Sequence, residues 1–402
     1  MPLSDIVIVG AARTPIGRYG GAFQSTHPAE LGAVATRAAL ERAGLAPGLV
    51  DAAVFGHARQ AGSGPNSARQ VVRRAGLHDS VPSHTINKAC ASGMQAIASA
   101  AQSIVLGESE IAIAGGIESM SRMPYLIDAE DARWGRRMGN FTLVDAMYRD
   151  GFTCSLCGMI MGETAEVLAR DYAITREASD AYAVETQQRA ARAVAEGRFR
   201  DEIAPVTVTD SKGRTTTIDA DEHPRPDTTL ESLNNLGPVF PNVEGQAGII
   251  TAGTSSGITD GGAAVVLTSA SRARSLGITP LARITGWASA GVDPRKMGIG
   301  PVPAMRKLCQ RTGLKMADFD LVELNEAFAA QVLAVLRDEP IPGEKLNVNG
   351  GAIALGHPIG CTGTRIVVTL LYEMRRRGAR RGLATLCVSG GMGMAMALEA
   401  MQ

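Results

Sequence analysis

The sequence predicts an α/β protein of two related halves, with a long irregular segment inserted into the first. Three observations carry the prediction. Short β-branched runs alternate with helix-length stretches near both ends of the chain, the composition shifts between about residues 121 and 250, and a loop–helix–strand unit early in the chain is echoed late in it.

Taken in order, IVIVG at 6–10 is a first strand ended by glycine, and an Ala-rich helix is expected at about 29–43. Between them GRYGGAF (17–23) lacks both the Lys-Ser/Thr ending of a phosphate loop and the helix placement of a dinucleotide fingerprint, so it reads as a flexible connection. The stretches DAAVFGHA, SHTINKAC and EIAIAGGIESM read as further strands. SGMQAIASAAQSIVLG, between the last two, is apolar on nearly every face and should be a helix buried between layers. Such alternation implies a mostly parallel sheet.

From about 121, Arg, Asp, Tyr and Trp enter in RMPYLIDAEDARWGRRMGN. A charged helical stretch is expected over 163–197, and Pro, Thr and Asp punctuate 205–242; the whole of 121–250 reads as an excursion from a more regular scaffold. Alternation resumes with GGAAVVLTS and runs from LARITGWASAG to the end. CASG, a helix, Gly107 and IAIAGG in the first half match CTGTR, a helix, Gly378 and TLCVSGG in the second.

Composition narrows the function. At 402 residues the chain exceeds the ~100–200 of a typical domain, so two or more cores are expected. With 45% hydrophobic but only 4% aromatic residues, those cores are built from small aliphatic side chains. Lys plus Arg equals Asp plus Glu, 40 each, which gives no overall field to gather nucleic acid or an acidic membrane. Apolar runs break well short of the ~20 residues that span a bilayer, and MPLSDIVIVG has no leader pattern. Six cysteines without such a leader fit reduced thiols and a cytoplasmic location.

Cys90, in NKACASG, falls where a strand gives way to an apolar helix. Helix amides there should lower its pKa and favour a nucleophilic thiolate, although a core thiol fits the stretch equally. His357, in NVNGGAIALGHPIGCTGTR, lies in a glycine-rich loop that suits a general base or an exposed turn. Cys387 ends the apolar strand TLCVSGG; a core thiol is the plain reading, while the glycines after it can aim backbone N–H groups at a reacting oxygen. Asn325 and Glu326, in ELNEAFAAQ, could simply cap a helix. Cys154 and Cys157, in CSLC, have no second Cys or His pair at zinc spacing and open no βαβ unit, which leaves neither a metal nor a disulfide role.

Together NKACASG, NEAFAAQ, NVNGGAIALGHPIGCTGTR and CVSGGMG, in this order, with VIVGAARTPIGRYGGAF and TAGTSSGITDGGAAVVL, resemble the thiolase family over nearly the full length. The resemblance implies two similar α/β domains stacked as five layers (αβαβα), over 1–120 with 251–277 and over 278–402, and an inserted loop domain, 121–250. It implies Claisen chemistry: two acetyl-CoA to acetoacetyl-CoA and CoA, or the reverse cleavage, with a broader-chain 3-ketoacyl-CoA thiolase as the alternative. Cys90 would carry the acyl group, His357 take its proton and Cys387 work on the α-carbon. His357 and a water held by Asn325 would form one oxyanion hole, and the backbone N–H groups of Cys90 and Ser389 another.

By the same resemblance Arg225 would meet the CoA nucleotide, Ala252 and Ser256 the pantetheine, and Met161, Met297, Ala327 and Phe328 the thioester. No metal or redox cofactor is implied. The partners are acyl-CoA and CoA, with a homodimer or homotetramer as the assembly. Ser389 stands where the family commonly has glycine, Thr254 where asparagine is usual, and Ile160 where short-chain members carry histidine, which points to a roomier acyl pocket. A ketosynthase would have histidine in place of Cys387. A catalytically silent CoA or lipid carrier would not need Cys90, His357, Asn325 and Cys387 together.

Overall fold

The computed structural model describes residues 5–401. In the first half β1 (Ile6–Arg13), α1 (Pro28–Ala43), β2 (Ala52–His57), α2 (Ser67–Arg74), β3 (Ser83–Ile86), α3 (Ser92–Leu106) and β4 (Ile111–Ser119) follow one another. The inserted segment carries α4 (Met161–Asp171) and α5 (Arg176–Ala195). The chain then returns through β5 (Thr259–Ser269), β6 (Ala282–Gly291), α6 (Pro301–Thr312), β7 (Leu321–Leu324), α7 (Ala329–Asp338), α8 (Ile359–Arg377), β8 (Arg381–Val388) and β9 (Met392–Ala400).

The strands form a ten-stranded sheet in the order β7-β8-β9-β6-β1-β5-β4-β2-β3, with the short strand Gly17–Arg18 beside β5. It is not the mostly parallel sheet that the alternation implies. The pairs β2–β3, β2–β4 and β7–β8 are parallel, but β4–β5, β5–β1, β1–β6, β6–β9 and β9–β8 are antiparallel. The physical reason lies in the connections. β5 re-enters from the long insertion and is free to come in from the opposite end, while the short Ser389–Gly391 turn between β8 and β9 permits only a hairpin. Both halves repeat one pattern, β2-β4-β5-β1 and β7-β8-β9-β6, joined where Val7 and Ile8 meet Arg283 and Ala282.

Alternation along the strands sorts side chains onto two faces. Ile6 and Ile8 of β1, Val265 and Leu267 of β5, Leu386 of β8 and Met396 and Leu398 of β9 face inward onto Met94 and Ile97 of α3 and Ile366 and Leu370 of α8. Val7, Val9, Ile113 and Val266 face outward onto α1 and α2, and Leu383, Ala395 and Ala397 face α6 and α7. The result is five layers, helix–sheet–helix–sheet–helix. Each fully buried aliphatic side chain contributes about 1.5–3 kcal/mol, and α3 and α8 bury theirs on both sides. That placement explains why the 18-residue window Ala89–Leu106 is as apolar as a membrane span.

Two further expectations are corrected. The helical stretch at 163–197 is two helices, because the chain breaks at Tyr172–Thr175, where Ala173 has φ +48° and the Thr175 hydroxyl caps α5 by accepting the Ala178 N–H at 3.2 Å. The GRYGGAF stretch is pinned: Gly17 and Arg18 pair with Asp260 and Thr259, and the Glu222 carboxylate accepts the N–H groups of Arg18 and Ala22, each at 3.1 Å. The insertion is clamped to β1 by the buried Arg13, which donates to Glu202 at 2.5 Å and to both Asp221 oxygens at 2.6 and 2.9 Å.

Candidate active site

Cys90 sits on a tight elbow between β3 and α3. The strand ends at Ile86, four residues before the expected end at Cys90, because the chain turns there. Ala89 adopts φ +44°, Ser92 N–H bonds to Ala89 O at 3.0 Å, and the Ser92 hydroxyl accepts the Lys88 N–H at 2.8 Å. A left-handed alanine is an uncommon conformation that the surrounding bonds must hold. It leaves Cys90 9% exposed at the mouth of α3.

The helix does not lower the thiol pKa as the sequence led us to expect. Burial pushes Cys90 up, and the Arg59 charge and the Ser389 N–H only partly offset it. A protonated thiol at rest needs a base. His357, 7% exposed, is held between the short helix Ala352–Leu355 and α8 by its backbone N–H, which donates to Gly257 O at 3.0 Å. Gly356 before it, at φ +99°, could carry no Cβ, which would lie 2.3 Å from Thr259 Cγ2. Burial, with the charges of Arg365 and Arg59, lowers the His357 pKa to about 3, so the ring is neutral near pH 7. Its Nδ1 lies 2.6 Å from Thr362 Oγ1, and that hydroxyl donates its single proton to Pro358 O at 3.0 Å. With the hydroxyl proton on Pro358 O, Nδ1 carries the ring hydrogen and leaves Nε2 as the acceptor, the tautomer a base toward Cys90 requires.

Cys387, fully buried at the end of β8, belongs to the other half of the molecule. Burial raises its pKa, and so does the proximity of Cys90. It is walled by Met297 and Ala327, with Met161 and Phe328 packed alongside. Ser389, two residues on, brings its backbone N–H near enough to favour the Cys90 thiolate. Gly390 and Gly391 take φ +87° and +83°, whereas Ser389 itself is not among the residues with positive φ, so its Cβ is tolerated.

Asn325 does not cap a helix, since α7 begins only at Ala329. Its N–H donates to Thr385 O at 2.9 Å, placing it beside β8, and its 1%-exposed amide engages no protein partner through either Oδ1 or Nδ2. A buried amide without partners is a polar handle for a ligand or water. Glu326 is spent structurally, accepting from Tyr182 at 2.8 Å, Thr186 at 2.9 Å and Asn347 at 2.9 Å.

The loop 251–257 ties these parts together. Ser255 pairs with Phe328, and Ser256 N–H donates to Ala327 O at 3.0 Å. Thr254 Oγ1 accepts the Thr251 N–H at 2.9 Å, which organises the loop without asparagine. Ala252 and the exposed Arg225 line one cavity of about 290 Å³ with His223 and Gln187. A larger cleft of about 1230 Å³, between Gly44, Leu281 and Gly378, holds none of the candidate residues. Of the other thiols, Cys361 is buried in α8, where burial pushes it up to about 12, and Cys154 and Cys157 lie in a turn beside Gly390. Among the described residues no cluster of His, Cys, Asp and Glu could hold a metal ion.

Sequence reasoning passed over Arg59, Glu118 and Thr362. Arg59 had a visible signal, an arginine among the small and apolar residues of VFGHARQAG. The Glu118 carboxylate accepts the backbone N–H groups of Arg59 at 3.2 Å and Gly360 at 2.8 Å, and so binds the ends of β2 and β4 to the start of α8. Only the folded arrangement reveals that role.

The chain matches the model of the thiolase N-terminal domain over residues 6–271 and that of the thiolase C-terminal domain over 278–400. It is 49% identical over 397 residues to an acetyl-CoA acetyltransferase of Cupriavidus necator, covering 99% of this chain and 100% of that one. It is 48% identical to one of Escherichia coli, with 99% of each covered. Among solved structures, it resembles the Bacillus anthracis acetyl-CoA acetyltransferase with a TM-score of 0.95 at 44% identity, with 99% of each chain covered. It resembles human mitochondrial 3-ketoacyl-CoA thiolase with a TM-score of 0.94 at 41% identity, covering 99% and 100%.

Proposed function

The chain belongs to the thiolase family, and from that premise we propose that it is an acetyl-CoA C-acetyltransferase, joining two acetyl-CoA into acetoacetyl-CoA and CoA or running the reaction backward. The observation that carries the reading is the approach of two buried thiols from opposite halves, Cys90 and Cys387. His357 Nε2 takes the Cys90 proton, and the thiolate attacks the thioester carbonyl. CoA leaves as a thiol, taking the proton of Cys387, and an acetyl group stays on the Cys90 sulfur. The N–H groups of Cys90 and Ser389 receive the oxyanion of each tetrahedral intermediate.

A second acetyl-CoA then enters. Its α-proton is weakly acidic, so removal by Cys387 depends on donors fixed at the enolate oxygen, His357 and a water on the free amide of Asn325. The carbanion attacks the acetyl thioester and frees the Cys90 thiolate, which recovers the proton held by His357, while Cys387 keeps the α-proton. The high pKa of Cys387 suits both directions, because its thiolate is a strong base and its resting thiol can return a proton in cleavage. These steps use thiols, an imidazole and hydrogen-bond donors and call for no metal or redox cofactor. In this reading the cavity at Arg225 and Ala252 takes part of CoA, Ser256, bonded to Ala327 O, meets the pantetheine, and Met161, Met297, Ala327 and Phe328, packed around Cys387, meet the thioester.

The test is a coupled assay of acetoacetyl-CoA formation and thiolysis, with 3-ketoacyl-CoAs of four and eight carbons compared. Efficient turnover of the four-carbon substrate is expected. Ile160, where short-chain members carry histidine, favours a second reading with broader chain length, and equal kcat/KM for eight carbons would establish it. No turnover of either substrate would defeat both readings.

A further inference from the structure

Arg59 follows β2, and its guanidinium is a buried charge with no counter-ion among the described residues. The residue is 8% exposed; Nη2 donates to Gly151 O at 2.5 Å, and the buried Nε has no partner. Glu118 makes no ion pair with it. Oε1 of that carboxylate accepts the backbone N–H of Arg59 and Oε2 that of Gly360, while His57 Nε2 lies 3.2 Å from Oε1 without hydrogen-bond geometry. A largely buried guanidinium with no paired anion is unfavourable, and a planar fork with free N–H donors is matched by a carboxylate.

The surroundings say whose carboxylate it is. Gly151 adjoins Phe152, which packs with Met120 and Met147 against the apolar cluster holding Cys90. Ala58, just before Arg59, lies in the cluster that holds Cys90, and its carbonyl accepts the Asn87 Nδ2–H at 2.9 Å, so Arg59 follows directly from the Cys90 elbow, away from the cavity lined by Arg225; its charge is felt at Cys90 and His357.

We propose that Arg59 binds a terminal carboxylate on the acyl chain, so that this enzyme cleaves 3-ketoacyl-CoAs of dicarboxylic acids and passes an ω-carboxyacyl group through Cys90. The proposal rests on the thiolase reading and names a substrate class for it. The Cys90 thiolate, its proton on His357, bonds to C3. The C2–C3 bond breaks, and its electron pair leaves as the acetyl-CoA enolate, which takes the proton of Cys387. The thiol of a free CoA gives its proton to Cys387 and accepts the acyl group, and Cys90 recovers the proton held by His357.

The experiment compares thiolysis of six- and seven-carbon 3-ketoacyl-CoAs bearing a terminal carboxylate with the uncharged chains of equal length. In the wild-type enzyme kcat/KM for the carboxylate form should exceed that for the uncharged form by about tenfold at one length or both, the discrimination a charge-assisted pair provides. That ratio should fall below one in Arg59→Leu and recover in part in Arg59→Lys. A wild-type ratio below about fivefold at both lengths, or a preference that survives in Arg59→Leu, overturns the proposal. The wild-type ratio needs no variant to fold. Acetoacetyl-CoA is the control: if it is cleaved while the carboxylate is not preferred, only this proposal fails, and if it is not cleaved the thiolase reading fails too.

Discussion

At Cys90 two effects compete, the dipole and amides at the start of α3 against loss of hydration, and the second prevails. The rate of alkylation of Cys90 by iodoacetamide in the free enzyme should therefore keep rising through pH 9 rather than level off near neutrality, as followed by peptide mapping. His357 gives a complementary prediction. Its folded pKa of about 3 lies below the ~6.5 of the unfolded chain, so between these values the unfolded chain binds a proton that the fold excludes, and stability falls as pH drops. The loss is roughly 3 kcal/mol at pH 4.5, and urea unfolding of His357→Gln at pH 7 and 4.5 should lack that component. Cys90, His357, Cys387 and Asn325 could be singled out as candidates because each sits in a short motif of distinctive residues. Their protonation was not, because it depends on burial and on Arg59 and Arg365, which come together only in the fold.

Helices α3 and α8 set the distance between the Cys90 elbow and the His357 loop, and glycines set theirs. A Cβ on Gly363 would lie 2.4 Å from Met94 N, and one on Gly93 2.6 Å from Thr364 Oγ1. Gly363→Ala should cost about 1–3 kcal/mol in denaturant unfolding and lower kcat by moving the two loops apart. Gly48→Ala, with nothing within 4 Å of the added carbon, should stay within about 0.5 kcal/mol of wild type. The sequence announced α3 through its all-round apolarity, and the strands β1, β2 and β4 through β-branched runs. Strand direction was hidden, since β5 and β9 join their neighbours after an insertion or a hairpin that periodicity does not describe. The break before α5 was signalled by Thr175, yet the charged face runs through it and masks the end of α4.

The proposed chemistry depends on the two halves and the insertion meeting at one site. Arg13 carries much of the insertion's attachment, with Glu202 and Asp221 both buried against it. Arg13→Met leaves two carboxylates without their cation and should cost about 3–5 kcal/mol, which thermal unfolding would report. The repeat of loop, helix, glycine and strand exposed the two-halved plan, because α3 and α8 each stop at a left-handed glycine, Gly107 and Gly378, before the next strand. The convergence of the halves was not in any single motif, for it is made by long-range pairings such as Val7 and Ile8 with Arg283 and Ala282. The most direct measurement of that convergence is rapid-quench analysis of Cys387→Ala with acetyl-CoA. Acetyl should accumulate on Cys90 with release of CoA and no acetoacetyl-CoA. Wild-type formation of acetoacetyl-CoA by this variant, or acetyl found on another cysteine, would contradict the account.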